Sequence, residues 1–266
     1  MSTLEIFKPF WAQYTTQNPH AKKIHDLFVA EGEEVINDHI ALRTYNDPRV
    51  NIETLSQYFL KHGYISKGEY DFPNKKLFAR HFEHQNLDMP KVFISELKTE
   101  DFSLELQEIV KNCIDKIPES ILTSDDLALS GIHWEPLDYD VYEGLLSESE
   151  YAAWMYAFGF CANHFTVNVN RLKHFNEIAD VNTFLKKHGF QLNASGGEVK
   201  GTPADFLEQS STLAERVKVE FKQGIKEIPS CYYEFAKRYE TSDGKLYTGF
   251  VAASADKIFE STDVKR

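Results

Sequence analysis

The sequence predicts an α+β protein in which a β-α-β-β-β module is used twice. The copies would form paired half-barrel mixed sheets with a helical insert between them. The first observation is a repeated helix end, FLKHGY at 59–64 and FLKKHGF at 184–190. The second is a repeated strand of alternating character, at 38–44 and 163–170, with a histidine near its start. Two similar segments in matching order indicate an internal repeat, and this order of strands and helices favours the α+β class.

The repeat divides the 266 residues into consecutive parts. We predict a single catalytic domain over 1–266, because a chain of this length can bury one large core. Its parts are a first module at 35–98, a helical insert at 99–160, a second module at 161–240 and a C-terminal packing segment at 241–266.

Composition and charge exclude several classes of function. A formal net charge of −12 argues against a surface for nucleic acid or anionic membrane. No apolar run reaches the roughly 18 residues that span a bilayer, and the N-terminus lacks a signal-peptide pattern. Cys113, Cys161 and Cys231 are far apart, which predicts reduced thiols in a cytoplasmic protein. The expected partner is a small molecule, and the sequence indicates no oligomeric state.

The elements of the first module follow two predicted N-terminal helices. Apolar residues at helical spacing over 6–30 predict these helices beside the first strand. A strand over 39–44 leads to a helix that Gly63 ends with a left-handed cap. Extended pieces follow at 64–65, 76–82 and 91–97.

The insert is predicted to be mostly helical and to cover the sheet or the mouth of a site. Its last helix is expected to begin near Ser147, which forms a capping-box pattern with Glu150. The second module then repeats the order of the first, with a strand at 164–170 and a helix that ends at Gly189. It closes with an extended stretch at 231–238.

Two histidines and two glutamates are candidate metal ligands. His39 and His164 occupy matching places in the repeated strand, so both are expected to face one site. Glu96 and Glu234 lie near the ends of the last strands of the two copies. Two histidines and one carboxylate are a common set for a first-row metal in oxygen chemistry, with other positions open for substrate and dioxygen. All four side chains would form a glyoxalase-type site, and the repeat alone leaves both alternatives open.

Arg43 breaks the repeat. It lies on the same strand face as His39, whereas the second copy has Asn168 at that place. A guanidinium beside a metal in an acidic protein is suited to bind a carboxylate through two hydrogen bonds. The alternative is a buried arginine paired with Asp38 or a glutamate.

Several motifs together resemble one known family, the 2-oxoadipate dioxygenase/decarboxylases, formerly a domain of unknown function. Its fold is similar to that of the vicinal-oxygen-chelate superfamily, and the resemblance covers about residues 5 to 262. The motifs are His39 with Arg43, Asn163-His164-Phe165-Thr166, Gln209-Ser210-Ser211-Thr212, Ile228-Pro229-Ser230-Cys231-Tyr232-Tyr233-Glu234-Phe235 and Ala253-Ser254-Ala255-Asp256-Lys257-Ile258-Phe259.

The resemblance implies a mononuclear iron(II) centre held by His39, His164 and Glu234. Another divalent metal is expected to be able to occupy the same site in purified protein. Glu96 would then lie outside the metal ligands and support them through hydrogen bonds.

The resemblance also implies the reaction, in which 2-oxoadipate and dioxygen give 2-hydroxyglutarate and carbon dioxide in lysine breakdown. The substrate would contact His39, His164 and Arg43, with Arg43 holding its distal carboxylate, and Ala253 would line the pocket. This chain lacks a large insertion after Glu234 that the characterised bacterial members carry. Ala253 is also smaller than the residue expected there, which would change the length of substrate that the pocket accepts.

Two other classes of function compete with this interpretation. A metal-dependent lyase, isomerase or hydrolase of the glyoxalase type would require Glu96 as a fourth ligand. A small-molecule binding protein without catalysis would not need the set of His39, His164 and Glu234.

Overall fold

The computed structural model describes residues 3–251, which form one large mixed sheet with helices packed around it. The helices are α1 Lys8–Gln17, α2 Pro19–Ala30, α3 Ile52–Lys61, α4 Leu104–Ile114, α5 Glu119–Leu122, α6 Tyr139–Glu148, α7 Glu150–Phe158 and α8 Ile178–Lys187. The strands are β1 Asn37–Tyr45, β2 Tyr64–Phe72, β3 Leu77–His84, β4 Lys91–Leu97, β5 Ala162–Asn168, β6 Lys200–Thr202, β7 Leu207–Ser211, β8 Arg216–Phe221, β9 Gly224–Pro229 and β10 Glu234–Arg238.

The sheet confirms the predicted α+β class and the repeated module. Its eight strands run in the order β2-β3-β4-β1-β5-β10-β7-β6. The first module (β1, α3, β2, β3, β4) and the second (β5, α8, β6, β7, β10) have the same strand order, which agrees with a vicinal-oxygen-chelate-like fold. Strands β8 and β9 form a separate hairpin, inserted between β7 and β10 of the second module.

The two modules meet where β1 pairs antiparallel with β5. This pairing contains two β-bulges, one in each strand. Asp38 is the extra residue in β1 and Asn163 is the extra residue in β5. A bulge redirects the side chains next to it. Each extra residue directly precedes the histidine of its strand, so the two modules have the same bulge at equivalent positions.

The equivalent helices α3 and α8 end as the sequence predicts. Gly63 and Gly189 follow them with φ of 87° and 84°, a conformation that glycine adopts without steric cost. The Nδ1 atoms of His62 and His188 lie 2.7 and 2.9 Å from main-chain carbonyl oxygens one turn earlier. These histidines therefore belong to the helix ends and take no part in the site.

The helical insert covers the sheet beside Arg43. The Tyr151 hydroxyl of α7 accepts a hydrogen bond from the Thr44 amide at 2.9 Å, and the Trp154 indole donates to the Ser230 carbonyl at 2.9 Å. The expected start of this helix near Ser147 was wrong. Ser149 caps α7 by accepting from the Ala152 amide at 3.1 Å, because α6 continues through Ser147.

The N-terminal helices pack on the opposite face of the sheet from the paired histidines. The rings of Trp11 and Tyr14 in α1 each lie 5.1 Å from the ring of Phe165. Phe165 belongs to β5, so α1 packs on the first strand of the second module, next to β1. All three cysteines are buried free thiols, as predicted. Between residues 3 and 251, each helix is too short or too polar to cross a bilayer.

Candidate metal centre

Three predicted ligands come together on adjacent strands of the sheet. His39 of β1, His164 of β5 and Glu234 of β10 have ligand atoms that all lie within 4.8 Å of one another. Glu234 bridges the two histidines, with its Oε1 3.5 Å from Nε2 of His39 and its Oε2 3.3 Å from Nε2 of His164. All three residues are at most 4% exposed. The structure therefore brings together three of the four residues that the sequence offered as candidate ligands.

The residue before each histidine sets the orientation of its ring. Nδ1 of His39 lies 2.8 Å from Oδ2 of Asp38, and Nδ1 of His164 lies 3.0 Å from Oδ1 of Asn163. A carboxylate or amide oxygen only accepts, so each Nδ1 carries the proton and donates it. Both Nε2 atoms then keep a lone pair directed towards Glu234, which is the arrangement that metal-binding histidines need.

Burial adjusts the protonation of all three candidate ligands. It lowers the pKa of His39, and it holds the pKa of His164 well below its usual range, with His39 and Arg43 adding to the effect. Both imidazoles are therefore neutral, as metal binding requires. Burial also raises the pKa of Glu234 to about 8, although the Gln209 amide donates to its Oε1 at 2.5 Å. Two neutral imidazoles and a carboxylate that a cation would stabilise fit a divalent first-row metal.

Four residues that contact the candidate ligands were not assigned a role at the metal site from the sequence. Asp38 and Asn163 hold the histidine rings, Gln209 holds Glu234, and the Thr166 hydroxyl lies 3.0 Å from Nε2 of His39. Thr166 differs from the other three, because its hydroxyl donates to the Nε2 lone pair of His39 that a metal would use. The sequence did contain one signal, namely a short polar residue directly before each repeated histidine.

Glu96 does not belong to this cluster, so its assignment as the counterpart of Glu234 was wrong. In the parallel pairs, Glu234 lies opposite Thr166 and Phe93 lies opposite Ala41. Ala41 and Thr166 each come two residues after a candidate ligand, which makes Phe93 the counterpart of Glu234. The sequence prediction matched the two glutamates by their distance along the chain from each histidine. The hairpin of β8 and β9 adds residues to the second module only, so that distance does not identify equivalent positions.

The side chain of Glu96 has another task. It comes three residues after Phe93, and an odd spacing places it on the other face of the strand. Its Oε2 accepts a hydrogen bond from the amide of Ile52, at the start of α3, at 3.0 Å. The cluster found within residues 3–251 therefore contains three candidate ligands. Glu96 is not among them, so it does not support the alternative with four protein ligands.

Arg43 is buried beside the cluster and is held by the helical insert. Its Nη1 donates to Oε1 of Glu150 at 3.3 Å, and its guanidinium carbon lies 4.8 and 5.0 Å from the ring centres of Tyr151 and Trp154. The sequence analysis considered Asp38 or a glutamate as a partner of Arg43, and in the structure that partner is Glu150. Arg43 also lines a cavity of about 250 Å³ together with Lys76 and Glu150.

The segment after β10 packs against His39. The Phe250 ring lies 4.8 Å from the His39 ring and 5.0 Å from the Phe93 ring. The Phe250 amide donates to the Tyr70 hydroxyl at 3.0 Å. The described part of the predicted C-terminal packing segment thus covers the candidate site. Ala253 lies outside the described residues.

Comparison with known proteins finds similarity over most of the chain. A family model described as 2-oxoadipate dioxygenase/decarboxylase matches residues 10–245. An Arabidopsis thaliana protein named chloroplastic 2-oxoadipate dioxygenase/decarboxylase is 35% identical over 94% of this chain and 74% of its own length.

Two solved structures superpose closely on this one. A Shewanella frigidimarina protein provisionally named a hydrolase is 51% identical, with a TM-score of 0.90 over 95% of this chain and 98% of that chain. Hydroxyglutarate synthase from Oryza sativa, solved in complex with 2-oxoadipate, is 32% identical, with a TM-score of 0.90 over 98% of this chain and 91% of that chain. The family model and the curated relative each span most of the sequence, and this chain therefore belongs to the 2-oxoadipate dioxygenase/decarboxylase family.

Proposed function

We propose that this protein is an iron(II)-dependent dioxygenase and decarboxylase that acts on a 2-oxo dicarboxylic acid. The proposed reaction converts 2-oxoadipate and dioxygen to 2-hydroxyglutarate and carbon dioxide, a step of lysine catabolism. The observation that carries the proposal is the buried set of His39, His164 and Glu234, in a chain of this family. With three protein ligands, a metal keeps other positions for substrate and oxygen.

The chain's own residues would bind and orient the substrate. Iron(II), when bound, would supply the redox chemistry with dioxygen and the Lewis acidity that favours chelation by a 2-oxo acid. His39, His164 and Glu234 would hold it from one side. Arg43 would hold the distal carboxylate of the substrate and so select its length. Ala253 remains a proposed pocket residue on the strength of the family motif.

Burial of the site contributes to this function. The three candidate ligands and Arg43 are each at most 4% exposed. Electrostatic interactions are stronger where water is excluded, so the Arg43 guanidinium would bind a carboxylate more tightly here than at the surface. The aromatic rings of Tyr151 and Trp154 fix the plane of the guanidinium, which limits the orientations in which a carboxylate can bind.

Oxygen uptake tests the proposal directly. Protein loaded with iron(II) under anaerobic conditions and then given 2-oxoadipate and oxygen is expected to consume oxygen and release carbon dioxide in equal amounts. The matched control substrate is 2-oxohexanoate, which has the same chain length but lacks the distal carboxylate. Hydrolysis or isomerisation consumes no oxygen. Protein with bound metal that takes up no oxygen with any of a panel of 2-oxo acids would exclude the oxygenase function.

The affinity for the metal is expected to rise with pH up to about 8. Below the raised pKa of Glu234, about 8, the metal-free site holds a proton that the cation must displace. The histidines add no such competition, because their pKa values are lowered. Calorimetric titration with Co²⁺ should show an association constant that rises roughly tenfold per pH unit from pH 6 and levels off above about 8. A flat profile over this range would show that Glu234 is already ionised at pH 6 in the metal-free protein, which would contradict its raised pKa.

A further inference from the structure

His39 is backed by a buried ion pair. Asp38 accepts a hydrogen bond from Nδ1 of His39 at 2.8 Å. Arg238 also binds Asp38, through two hydrogen bonds. Nε of Arg238 donates to Oδ1 at 2.7 Å and Nη2 donates to Oδ2 at 2.8 Å. Asp38 and Arg238 are at most 3% exposed. A buried pair is costly unless its geometry is good and its remaining hydrogen-bonding groups are satisfied.

The rest of Arg238 is held as well. Its Nη1 donates to the carbonyl oxygens of Gly249 at 2.7 Å and Tyr247 at 3.1 Å. Its main-chain amide donates to Oδ1 of Asn170 at 2.8 Å. Strand β10 therefore contributes twice to the centre. It supplies Glu234 directly, and four residues later it supplies the guanidinium that fixes Asp38 behind His39.

Among residues 3–251, His164 is not backed by an equivalent ion pair, because the counterparts of Asp38 and Arg238 are Asn163 and Leu97. His164 donates its Nδ1 proton to the neutral amide of Asn163. By the same register that matches Phe93 with Glu234, the residue four places later, Leu97, is the counterpart of Arg238. One imidazole is thus backed by a carboxylate that an arginine holds, and the other by an amide.

This difference has a chemical consequence for the two rings. A carboxylate that accepts a hydrogen bond from Nδ1 raises the basicity of the opposite nitrogen and fixes the ring orientation. The positive charge of Arg238 offsets part of the first effect at His39, while its two hydrogen bonds hold the Asp38 carboxylate in place. An uncharged amide accepts the same proton with a weaker electrostatic effect, since hydrogen bonds to an ionised acceptor are about twice as strong as those between neutral groups.

We propose that Asp38 and Arg238 are positioning residues which make His39 the stronger of the two imidazole donors. The two modules would then bind the metal unequally, although their histidines are equivalent in the repeat. This inference rests on the proposed metal centre, and it adds a role for two residues that do not contact the metal themselves.

The test is a titration of metal-free protein with Co²⁺ under anaerobic conditions. The variant is Asp38→Asn/Arg238→Gln, which keeps a hydrogen-bond acceptor for His39 and leaves no unpaired buried charge. The affinity is expected to fall by about 10–100-fold, and the visible ligand-field bands of the Co²⁺ complex are expected to shift. The control is Asp88→Asn/Arg171→Gln, which makes the same two substitutions at an exposed ion pair of 2.8 Å. That variant should bind Co²⁺ like the wild type.

A folded Asp38→Asn/Arg238→Gln protein with wild-type affinity and an unshifted spectrum would overturn the inference and leave the metal centre intact. Wild-type protein that binds no Co²⁺ would overturn both. The Zn²⁺ form of the wild type offers a measurement that needs no variant. In its proton NMR spectrum with ¹⁵N-labelled histidine, the Nδ1 proton of His39 is expected downfield of that of His164. Equal shifts would overturn the inference as well.

Discussion

Replacing Glu234 with glutamine is expected to abolish metal binding and oxygen consumption, while the same replacement at Glu96 should leave both near the wild-type level. Glu234 faces both histidines at 3.3 and 3.5 Å and carries the only carboxylate of the three-residue cluster within residues 3–251. A neutral amide oxygen cannot replace a charged ligand. The affinity for Co²⁺ should therefore fall by more than the roughly 100-fold that the loss of an outer hydrogen-bond partner costs.

The matched variant Glu96→Gln separates a metal ligand from a structural glutamate. Its side chain accepts from the Ile52 amide at the start of α3, and glutamine can still accept there. Its free energy of unfolding should change by no more than about 1 kcal/mol, the usual size of a helix-capping effect. Metal content, the Co²⁺ titration and oxygen uptake are measured on both variants. If Glu96→Gln lost the metal as completely as Glu234→Gln, the four-ligand alternative would be restored.

The second large effect is expected at Arg43, where replacement should change the choice of substrate. Arg43→Ala removes charge-assisted hydrogen bonds to the proposed distal carboxylate, each with a net value of about 1.5–3 kcal/mol. Because 1.4 kcal/mol corresponds to a factor of ten, the loss of one such bond should lower kcat/KM for 2-oxoadipate by roughly 10–150-fold, mainly through KM, and the loss of two should lower it further. The value for 2-oxohexanoate, which lacks that carboxylate, should change much less.

Arg43 is also a packed side chain, so the experiment needs a control for stability. Its removal leaves Glu150 without the ion pair at 3.3 Å and opens space between Tyr151 and Trp154. Arg43→Lys retains the charge but not the planar pair of donors. Its kcat/KM for 2-oxoadipate is expected to lie between those of the wild type and Arg43→Ala. An equal loss with both substrates, in protein that melts at the wild-type temperature, would show that Arg43 does not read the distal carboxylate.

The parts of the site that the sequence predicted are those that depend on local pattern. The alternation within a strand places His39 and Arg43 on one face, and the repeated motif places His164 on the equivalent strand. These features need only the period of two along a strand. The helix ends at Gly63 and Gly189 follow from the same kind of local signal, since their backbone conformation favours glycine.

The parts that were missed depend on pairing between distant strands. Glu96 was matched with Glu234 by position along the chain, but the register of β4 against β1 gives that place to Phe93. The inserted hairpin of β8 and β9 made the count unreliable. The bulges at Asp38 and Asn163 are likewise a property of two strands together, so no single stretch of sequence reveals that these residues hold the histidine rings.

Phe93 shows what duplication of a module permits. Once a fold contains two copies of every position, selection can keep a residue in one copy and release it in the other. His39 and His164 are equivalent in the two modules. The counterparts of Glu234, Arg43 and Arg238, in contrast, are Phe93, Asn168 and Leu97. In the proposed metal centre, the apolar Phe93 provides no fourth protein ligand at the place where a second glutamate would bind. In evolutionary terms, a single codon in the first module would separate a site with four protein ligands from the proposed site with three.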